Sequence, residues 1–274
     1  MVFIIDNNSQ ARFISRNLGQ VEREKTTAVE RIASGKRINS ARDDASGLAI
    51  AQRMTSMLGG MYSARRNAND AISMMQTADG SLGSVSDNLQ RMRELAIQAS
   101  NGSLNDDDRR YLNSEFNALK EEVGRVIDTS KFNGINLLSQ NDEVTFQVGA
   151  NEGETIGVEL TDMNSQLNDA GLNSATIDSA AGAESAISAI DDALNSINET
   201  RAEYGAVQNR FESTINNLDS SIIETAESRS RVEDSDIAKE MSSFVQQQIR
   251  EQASIAMLGQ ANQHRGLVMK LLGM

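Results

Sequence analysis

The sequence predicts a mainly α protein, built as a long antiparallel helical bundle or coiled-coil rod with one small β-hairpin. Three observations support this: an unbroken apolar repeat from Ile50 to Ala99, the complete absence of proline, and an aromatic content of only 4%. Proline breaks helix interiors, so its absence suits long helices. A chain with few aromatic side chains must fill narrow seams between helices, which Ala, Met, Leu and Ile do well.

The strongest helix signal is a series of apolar residues that alternate steps of four and three. This spacing places every member on one face of a helix. A second series with the same spacing has nine apolar residues at twelve positions. We therefore expect two long helices that pack on each other. The first series is Ile50, Met54, Met57, Met61, Ala64, Ala68, Ala71, Met75, Ala78, Leu82, Val85, Leu89, Met92, Ala96 and Ala99. The second is Ile187, Ile190, Leu194, Ile197, Arg201, Tyr204, Gln208, Phe211, Ile215, Leu218, Ile222 and Thr225.

The two terminal helices have weaker seams, because polar residues interrupt their repeats. An isolated helix of this kind is marginal in water. We therefore predict that the terminal helices become fully ordered only when packed against other copies of the chain. The first seam contains Ile14, Leu18, Val21, Lys25, Ala28 and Ile32, and the last contains Ile237, Met241, Phe244, Gln248, Glu251, Ile255 and Leu258.

The segments between these helices carry caps, turns and one hairpin signal. Residues 34–46 are polar and predict an irregular connector. A third helix is expected to begin after Asn105 and to fade near Thr129. Alternating apolar residues between positions 144 and 160 predict the β-hairpin. Residues 161–182 are small and polar, and we predict a loop.

Within the connector, Asp43 and Asp44 lie close in sequence to Arg37 and Arg42. Opposite charges this close together could resemble a catalytic cluster, but they are more typical of a structural network. We expect a salt-bridged connector.

Changes in these sequence patterns divide the chain into five segments. Residues 1–44 hold the first helix and connector, and 45–138 the N-terminal part of the rod. Residues 139–182 form the hairpin and loop, 183–229 the C-terminal part of the rod, and 230–274 the last helix.

Several function classes are disfavoured. There is no cysteine and one histidine, His264, and no nucleophile–base set or metal-ligand spacing is present. We therefore expect no enzyme activity, no catalytic or metal site and no cofactor. The net charge of −13 argues against nucleic acid binding. No apolar stretch is long enough to span a membrane, so we expect no membrane insertion.

Long blocks at both ends resemble the signature regions of bacterial flagellins, in the order that this family has. The N-terminal blocks are RIASGKRINSARDDASGLAIAQRM at 31–54, NANDAISMMQTADGSLGSVSDNLQRMRELAIQASNG at 67–102 and KFNGINLL at 131–138. The C-terminal blocks are GAVQNRFESTINNL at 205–218, SRVEDSDIAKEM at 230–241 and QASIAMLGQANQ at 252–263.

This resemblance implies a structural subunit that polymerises into the bacterial flagellar filament and serves motility. In that family the N- and C-terminal helices pair as an inner filament layer, and variable outer domains are inserted in the middle. Only 139–182 lacks a counterpart, so the resemblance implies a core-only form. It also implies export in an unfolded state, assembly at the distal tip, and location in the extracellular filament.

The resemblance further implies partners and their contact residues. These partners are other copies of the chain, an export chaperone, the filament cap and junction proteins, and the vertebrate Toll-like flagellin receptor. The implied receptor contacts are Arg91, Leu95 and Glu115, and the implied chaperone contacts are Leu267, Val268, Leu271 and Leu272.

Two other functions stay open at this stage. A hook–filament junction protein shares the terminal design of flagellins, although both ends here match flagellin blocks. A cytoplasmic coiled-coil adaptor or signalling rod would explain the heptads but not the polar seams at the ends. It would form a stable dimer in solution, whereas a flagellin stays monomeric until seeded.

Overall fold

The computed structural model describes residues 8–271, with side chains up to residue 263. The described residues form two compact units: the terminal unit, from residues 8–56 and 224–271, and the central unit, residues 57–223. The helices are α1 (Ser9–Ser34), α2 (Ala45–Ala99), α3 (Asp106–Thr129), α4 (Met163–Asp169), α5 (Ala180–Glu233) and α6 (Ile237–Leu271). The strands are β1 (Lys131–Phe132), β2 (Ile135–Asn136), β3 (Glu143–Gln147) and β4 (Thr155–Glu159). The prediction of a mainly α fold with a small hairpin is confirmed.

The core of the central unit is the seam between α2 and α5. Every predicted seam residue from Met61 to Ala99 is buried, and most have no exposed surface. Three ion pairs join the helices, and their partners run in opposite directions along the chain, so the packing is antiparallel. The pairs are Arg65 Nη1–Asp219 Oδ1 at 2.9 Å, Arg201 Nε–Asp79 Oδ1 at 2.7 Å and Arg93 Nε–Asp191 Oδ1 at 2.7 Å.

The predicted seam is wrong at its N-terminal end. Ile50 and Met57 are 41% and 38% exposed, whereas Ala51 and Leu58, each one residue later, are 2% and 5% exposed. Met54 is half-buried. One residue rotates a helix face by about 100°, so the buried stripe shifts its register before Met61, as in a stammer of a heptad repeat.

The connection from α2 to α3 is fixed by one arginine and a capping box. Arg109 is buried, and its guanidinium donates to the carbonyl oxygens of Ala99 and Asn101 at 3.0 and 3.1 Å. These carbonyls close the C-terminal end of α2, where a cation is favourable. Asn105 and Asp108 form the reciprocal capping box that begins α3.

Two hairpins follow α3. Asn133 and Gly134 both have positive φ, as the two-residue turn between β1 and β2 requires. The larger hairpin pairs β3 with β4 in antiparallel register, with Val144 opposite Val158 and Phe146 opposite Ile156. The predicted hairpin is confirmed.

Residues 161–182 are not the plain loop that was predicted. They contain α4 and a short 3₁₀ turn at Leu172–Ser174, followed by the start of α5. Asp162 caps α4, and Met163 and Leu167 are buried against the core. About two turns of helix need only two apolar anchors, so the small polar residues around them hide the periodicity.

Candidate assembly surface

The terminal helices α1 and α6 pack against each other in opposite directions. Lys25 Nζ lies 2.6 Å from Glu251 Oε2, and Arg31 Nη1 lies 3.2 Å from Glu240 Oε1. Lys25 and Glu251 are two of the residues that interrupt the predicted seams. The interruptions therefore have a structural reason, because one side chain neutralises the other inside the contact.

The two helices contribute unlike faces to this contact. The face of α1 is the predicted seam, whose members are all buried or half-buried. The face of α6 follows the same 4-3 spacing but is mainly polar. It consists of Glu240, Phe244, Gln247, Glu251, Ser254, Leu258 and Ala261. Gln247, rather than the predicted Gln248, is the buried glutamine of this face.

Most of the exposed apolar side chains of α6 lie outside the face toward α1. At every fourth position from Ile237 to Met257 an apolar residue is exposed, and we call this series the α6 ridge. The ridge consists of Ile237, Met241, Val245, Ile249, Ala253 and Met257. Among its residues larger than alanine, the four most exposed are Ile249 at 62%, Met257 at 59%, Val245 at 47% and Met241 at 45%. The predicted seam of the last helix is therefore wrong at Ile237, Met241 and Ile255, which are exposed.

The connector fixes the end of the helix pair. Gly35 adopts the left-handed conformation that ends α1, and its carbonyl accepts a 2.9 Å hydrogen bond from Ser235 N–H. The backbone N–H of Arg37 donates to the Glu233 carbonyl at 2.6 Å, and Lys36 pairs with the Glu233 carboxylate. The segments that follow α1 and precede α6 are thus held side by side.

The predicted salt bridges of Asp43 and Asp44 are not formed. Asp43 accepts hydrogen bonds from the backbone N–H groups of Asn39 and Ser40, and Asp44 accepts from Gly47 N–H at the start of α2. These backbone donors hold the pKa of both carboxyls below the ordinary aspartate value. These backbone hydrogen bonds satisfy the carboxylates locally. An ion pair would also have to order a long arginine side chain, which costs entropy, so the backbone bonds replace the expected ion pairs.

Family comparisons agree with this arrangement of the two ends. The model of the bacterial flagellin N-terminal helical region matches residues 5–143, and that of the C-terminal helical region matches residues 187–272. The chain belongs to the bacterial flagellin family.

Curated relatives of this flagellin match it over nearly its whole length. A flagellin of Halalkalibacterium halodurans is 44% identical over 98% of this chain and 99% of its own length. A flagellin of Treponema pallidum is 38% identical over the same shares of the two chains. The function that follows is that of a structural subunit of the flagellar filament, and not that of an enzyme.

Solved structures share the fold. The crystal structure of Bacillus cereus flagellin is 32% identical, with a TM-score of 0.51 over 56% of this chain and 88% of that one. A putative flagellar hook-associated protein from Vibrio parahaemolyticus has a TM-score of 0.61 over 70% of this chain and 100% of that one, but is only 16% identical. At that identity the likeness shows the fold alone. Within residues 8–271, no helix is both long enough and apolar enough to cross a membrane.

The structure brings two of the three implied receptor contacts together. Arg91 on α2 donates to Glu115 on α3 through Nε at 3.1 Å and Nη2 at 2.8 Å, and it also pairs with Glu94. The bond to Glu115 raises the pKa of the guanidinium above its ordinary value. Arg91 and Glu115 are half-exposed, but Leu95 is only 1% exposed and packs in the core. The Leu95 side chain is therefore not on the surface of the monomer.

The implied chaperone contacts Leu267, Val268, Leu271 and Leu272 lie outside the residues whose side chains the structure describes. The α6 ridge, in contrast, was not predicted. Its signal was in the sequence, since an apolar residue occurs at every fourth position from 237 to 257.

Proposed function

We propose that this flagellin contacts its neighbours in the filament through the α6 ridge. One observation carries the proposal: six residues of α6, each four positions after the last, are apolar and exposed, while the face toward α1 is mainly polar. Soluble chains cover surfaces of this kind with a partner. In a homopolymer, the partner is a second copy of the same chain. A heterologous contact repeated from copy to copy gives an open helical filament.

The burial available on the ridge is large enough to drive assembly. Complete burial of an exposed aliphatic side chain contributes about 1.5–3 kcal/mol, so a half-exposed one contributes about 1 kcal/mol. Five ridge residues are larger than alanine, and because a series with steps of four winds around the helix, their contributions are shared among neighbouring copies. No charged side chain interrupts the series from Ile237 to Met257, so covering it carries no cost of desolvating an ion.

A charge placed on the ridge tests this proposal. Ile249→Asp puts a carboxylate at the most exposed ridge position, and we expect loss of seeded polymerisation, measured by sedimentation and electron microscopy. Gln248→Asp adds the same charge at the neighbouring exposed position outside the ridge, so it should polymerise normally. Both monomers should keep their helical circular dichroism. If Ile249→Asp polymerises as well as Gln248→Asp, the ridge is not the assembly surface.

We also propose that the subunit is secreted unfolded, assembles at the distal tip between cap and junction proteins, and is bound before export by a dedicated chaperone. The support is the apolar end of the sequence, with Leu267, Val268, Leu271 and Leu272, because a chain that must stay unassembled needs such a segment covered. Deleting residues 262–274 should abolish binding of the chaperone in a titration. An unchanged affinity would reject this site.

A third proposal concerns the vertebrate Toll-like flagellin receptor, for which Arg91 and Glu115 form the contact and Leu95 its buried support. The exposed arginine–carboxylate pair is geometrically suited to a polar contact. Arg91→Ala should lower receptor activation by the monomer in a reporter-cell assay. Arg125→Ala removes a similar exposed ion pair, with Glu122, elsewhere on α3, and should leave activation unchanged. Equal activation by the two variants would contradict the assignment.

A further inference from the structure

The nine methionines whose side chains the structure describes fall into three groups, and Met54 alone is half-buried. Five of them are buried in the central unit and at most 6% exposed, namely Met61, Met74, Met75, Met92 and Met163. Three are exposed, namely Met57 at 38%, Met241 at 45% and Met257 at 59%. Two of the exposed three, Met241 and Met257, lie on the α6 ridge.

We propose that Met241 and Met257 are an oxidation site that controls addition of the subunit to the filament. Oxidants of the hydrogen peroxide class would act on the free subunit, whose ridge is open to solvent. The proposal rests on the proposed role of the ridge in assembly. It adds a chemical modification and a form of regulation to that surface.

The chemistry needs only the thioether and the oxidant. A lone pair of the methionine sulfur attacks one oxygen of the peroxide, the O–O bond breaks, and the second oxygen leaves as water after proton transfer. The sulfur is oxidised by two electrons to the sulfoxide, and the peroxide is reduced. The product is polar and chiral, where the thioether was flexible and apolar.

The positions of the two residues determine the consequence. Met241 lies between Ile237 and Val245 on the ridge, so a sulfoxide there places a strong hydrogen-bond acceptor between two apolar side chains. Met257 ends the ridge and also borders the groove between α1 and α6, beside Phe13 and Ile14. A sulfoxide that has no donor opposite it in the contact loses its water without replacement, which disfavours assembly. In an assembled subunit, neighbouring copies cover both sulfurs.

The first test maps the modification on the full-length monomer. After mild treatment with hydrogen peroxide, peptide mass spectrometry should find one added oxygen at Met241 and at Met257 before Met74, Met75, Met92 or Met163 react. Oxidation of the buried methionines at the same rate would overturn the proposal. Filaments treated in the same way should show slower oxidation at Met241 and Met257 than monomers do.

The second test measures assembly. Burial of the two half-exposed methionines together is worth more than the free energy of a tenfold change in an equilibrium constant, so oxidation of both should raise the critical concentration about tenfold or more. Methionine sulfoxide reductases specific for the two epimers should restore assembly. The double variant Met241→Leu, Met257→Leu carries no thioether on the ridge, so its critical concentration should be the same before and after peroxide treatment. Met57→Leu removes the third exposed thioether and should stay as sensitive as the unchanged chain.

The outcomes separate this inference from the proposed function. If Ile249→Asp blocks assembly but the mapped sulfoxides do not, the ridge is the assembly surface and the oxidation proposal alone fails. If the double leucine variant remains sensitive to peroxide, or if Met57→Leu becomes resistant, the responsible methionine lies elsewhere and the proposal also fails. If Ile249→Asp assembles normally, the ridge is not the assembly surface, and the proposed function itself fails.

Discussion

The α2–α5 seam of the central unit and the α1–α6 contact of the terminal unit follow the same 4-3 spacing, but they differ in what they bury. In the central seam both helices turn apolar residues inward, and from Met61 to Ala99 all predicted members are buried. In the terminal contact, α6 turns Glu240, Gln247 and Glu251 inward and leaves its ridge exposed. The spacing of a repeat therefore shows that helices pair, but not which chemistry lies inside.

The difference explains how one chain can fold and polymerise. The central unit buries its apolar surface within the chain, which is the main source of folding free energy. The terminal unit holds its two helices together with partly exposed ion pairs, which contribute little. It keeps most of the apolar surface of α6 for contacts outside the chain, and assembly then supplies the burial that the terminal helices lack.

The largest expected effect comes from removing the terminal helices. A fragment of residues 45–230 retains the buried seam, so it should be helical, soluble and monomeric, with no seeded polymerisation. Circular dichroism, analytical ultracentrifugation and electron microscopy would measure these properties. Filaments formed by this fragment would show that the central unit assembles without the ridge.

The next effect is overpacking of the central seam. Ala68 has no exposed surface, and a larger side chain there should lower the free energy of unfolding by ~1–3 kcal/mol. Asp70 is exposed on the same helix two residues later, so Asp70→Leu should have little effect. Thermal melting of Ala68→Leu and Asp70→Leu would compare the two. Equal melting temperatures would mean that the assigned register is wrong.

A smaller effect is expected from reversing one ion pair of the terminal contact. Lys25→Glu places two carboxylates together at Glu251 and should destabilise the α1–α6 contact by about 0.5–1 kcal/mol. Glu251→Lys should do the same, whereas the double exchange should recover most of the loss. Hydrogen exchange of α1 amides would measure all three variants. Failure of the double variant to recover would show that the pair does not act as a unit.

The smallest effect concerns pH in the central unit. The hydrogen bond from Arg93 holds the pKa of Asp191 below its ordinary value. The pair therefore stabilises the fold above the unfolded aspartate pKa of about 3.9, and its contribution is lost as the pH falls through the lower folded pKa. The difference in unfolding free energy between the chain and Asp191→Asn should be constant near neutral pH and shrink in acid. A difference that grows in acid would contradict the pairing.

Much of the fold could be predicted because long apolar repeats leave few alternatives. Met75, Leu82 and Leu89 lie at seam positions of a long apolar repeat, and burying such a repeat against another helix is more favourable than exposing it to water. Short elements could not be predicted in this way, since Met163 and Leu167 alone do not define a period. The shift from Ile50 to Ala51 was also hidden, because both residues are apolar and either can complete the repeat.

The candidate site was predicted only in part, for a reason that lies in α6 itself. Ile237 and Met241 belong both to a series with 4-3 spacing and to a series with steps of four. The two series separate only at Phe244 and Val245, and both of these residues are apolar. Burial decides between them: Phe244 is half-buried, whereas Val245 is exposed.

The central claim is that the central unit completes its core within one chain, whereas the terminal unit does so only in the polymer. Amide hydrogen exchange on the free monomer and on the filament measures this difference directly. We predict strong protection of α2 from Met61 to Ala99 in both states, and protection of α1 and α6 that rises by orders of magnitude on assembly. Terminal helices as well protected in the monomer as α2, or unchanged in the filament, would contradict the account.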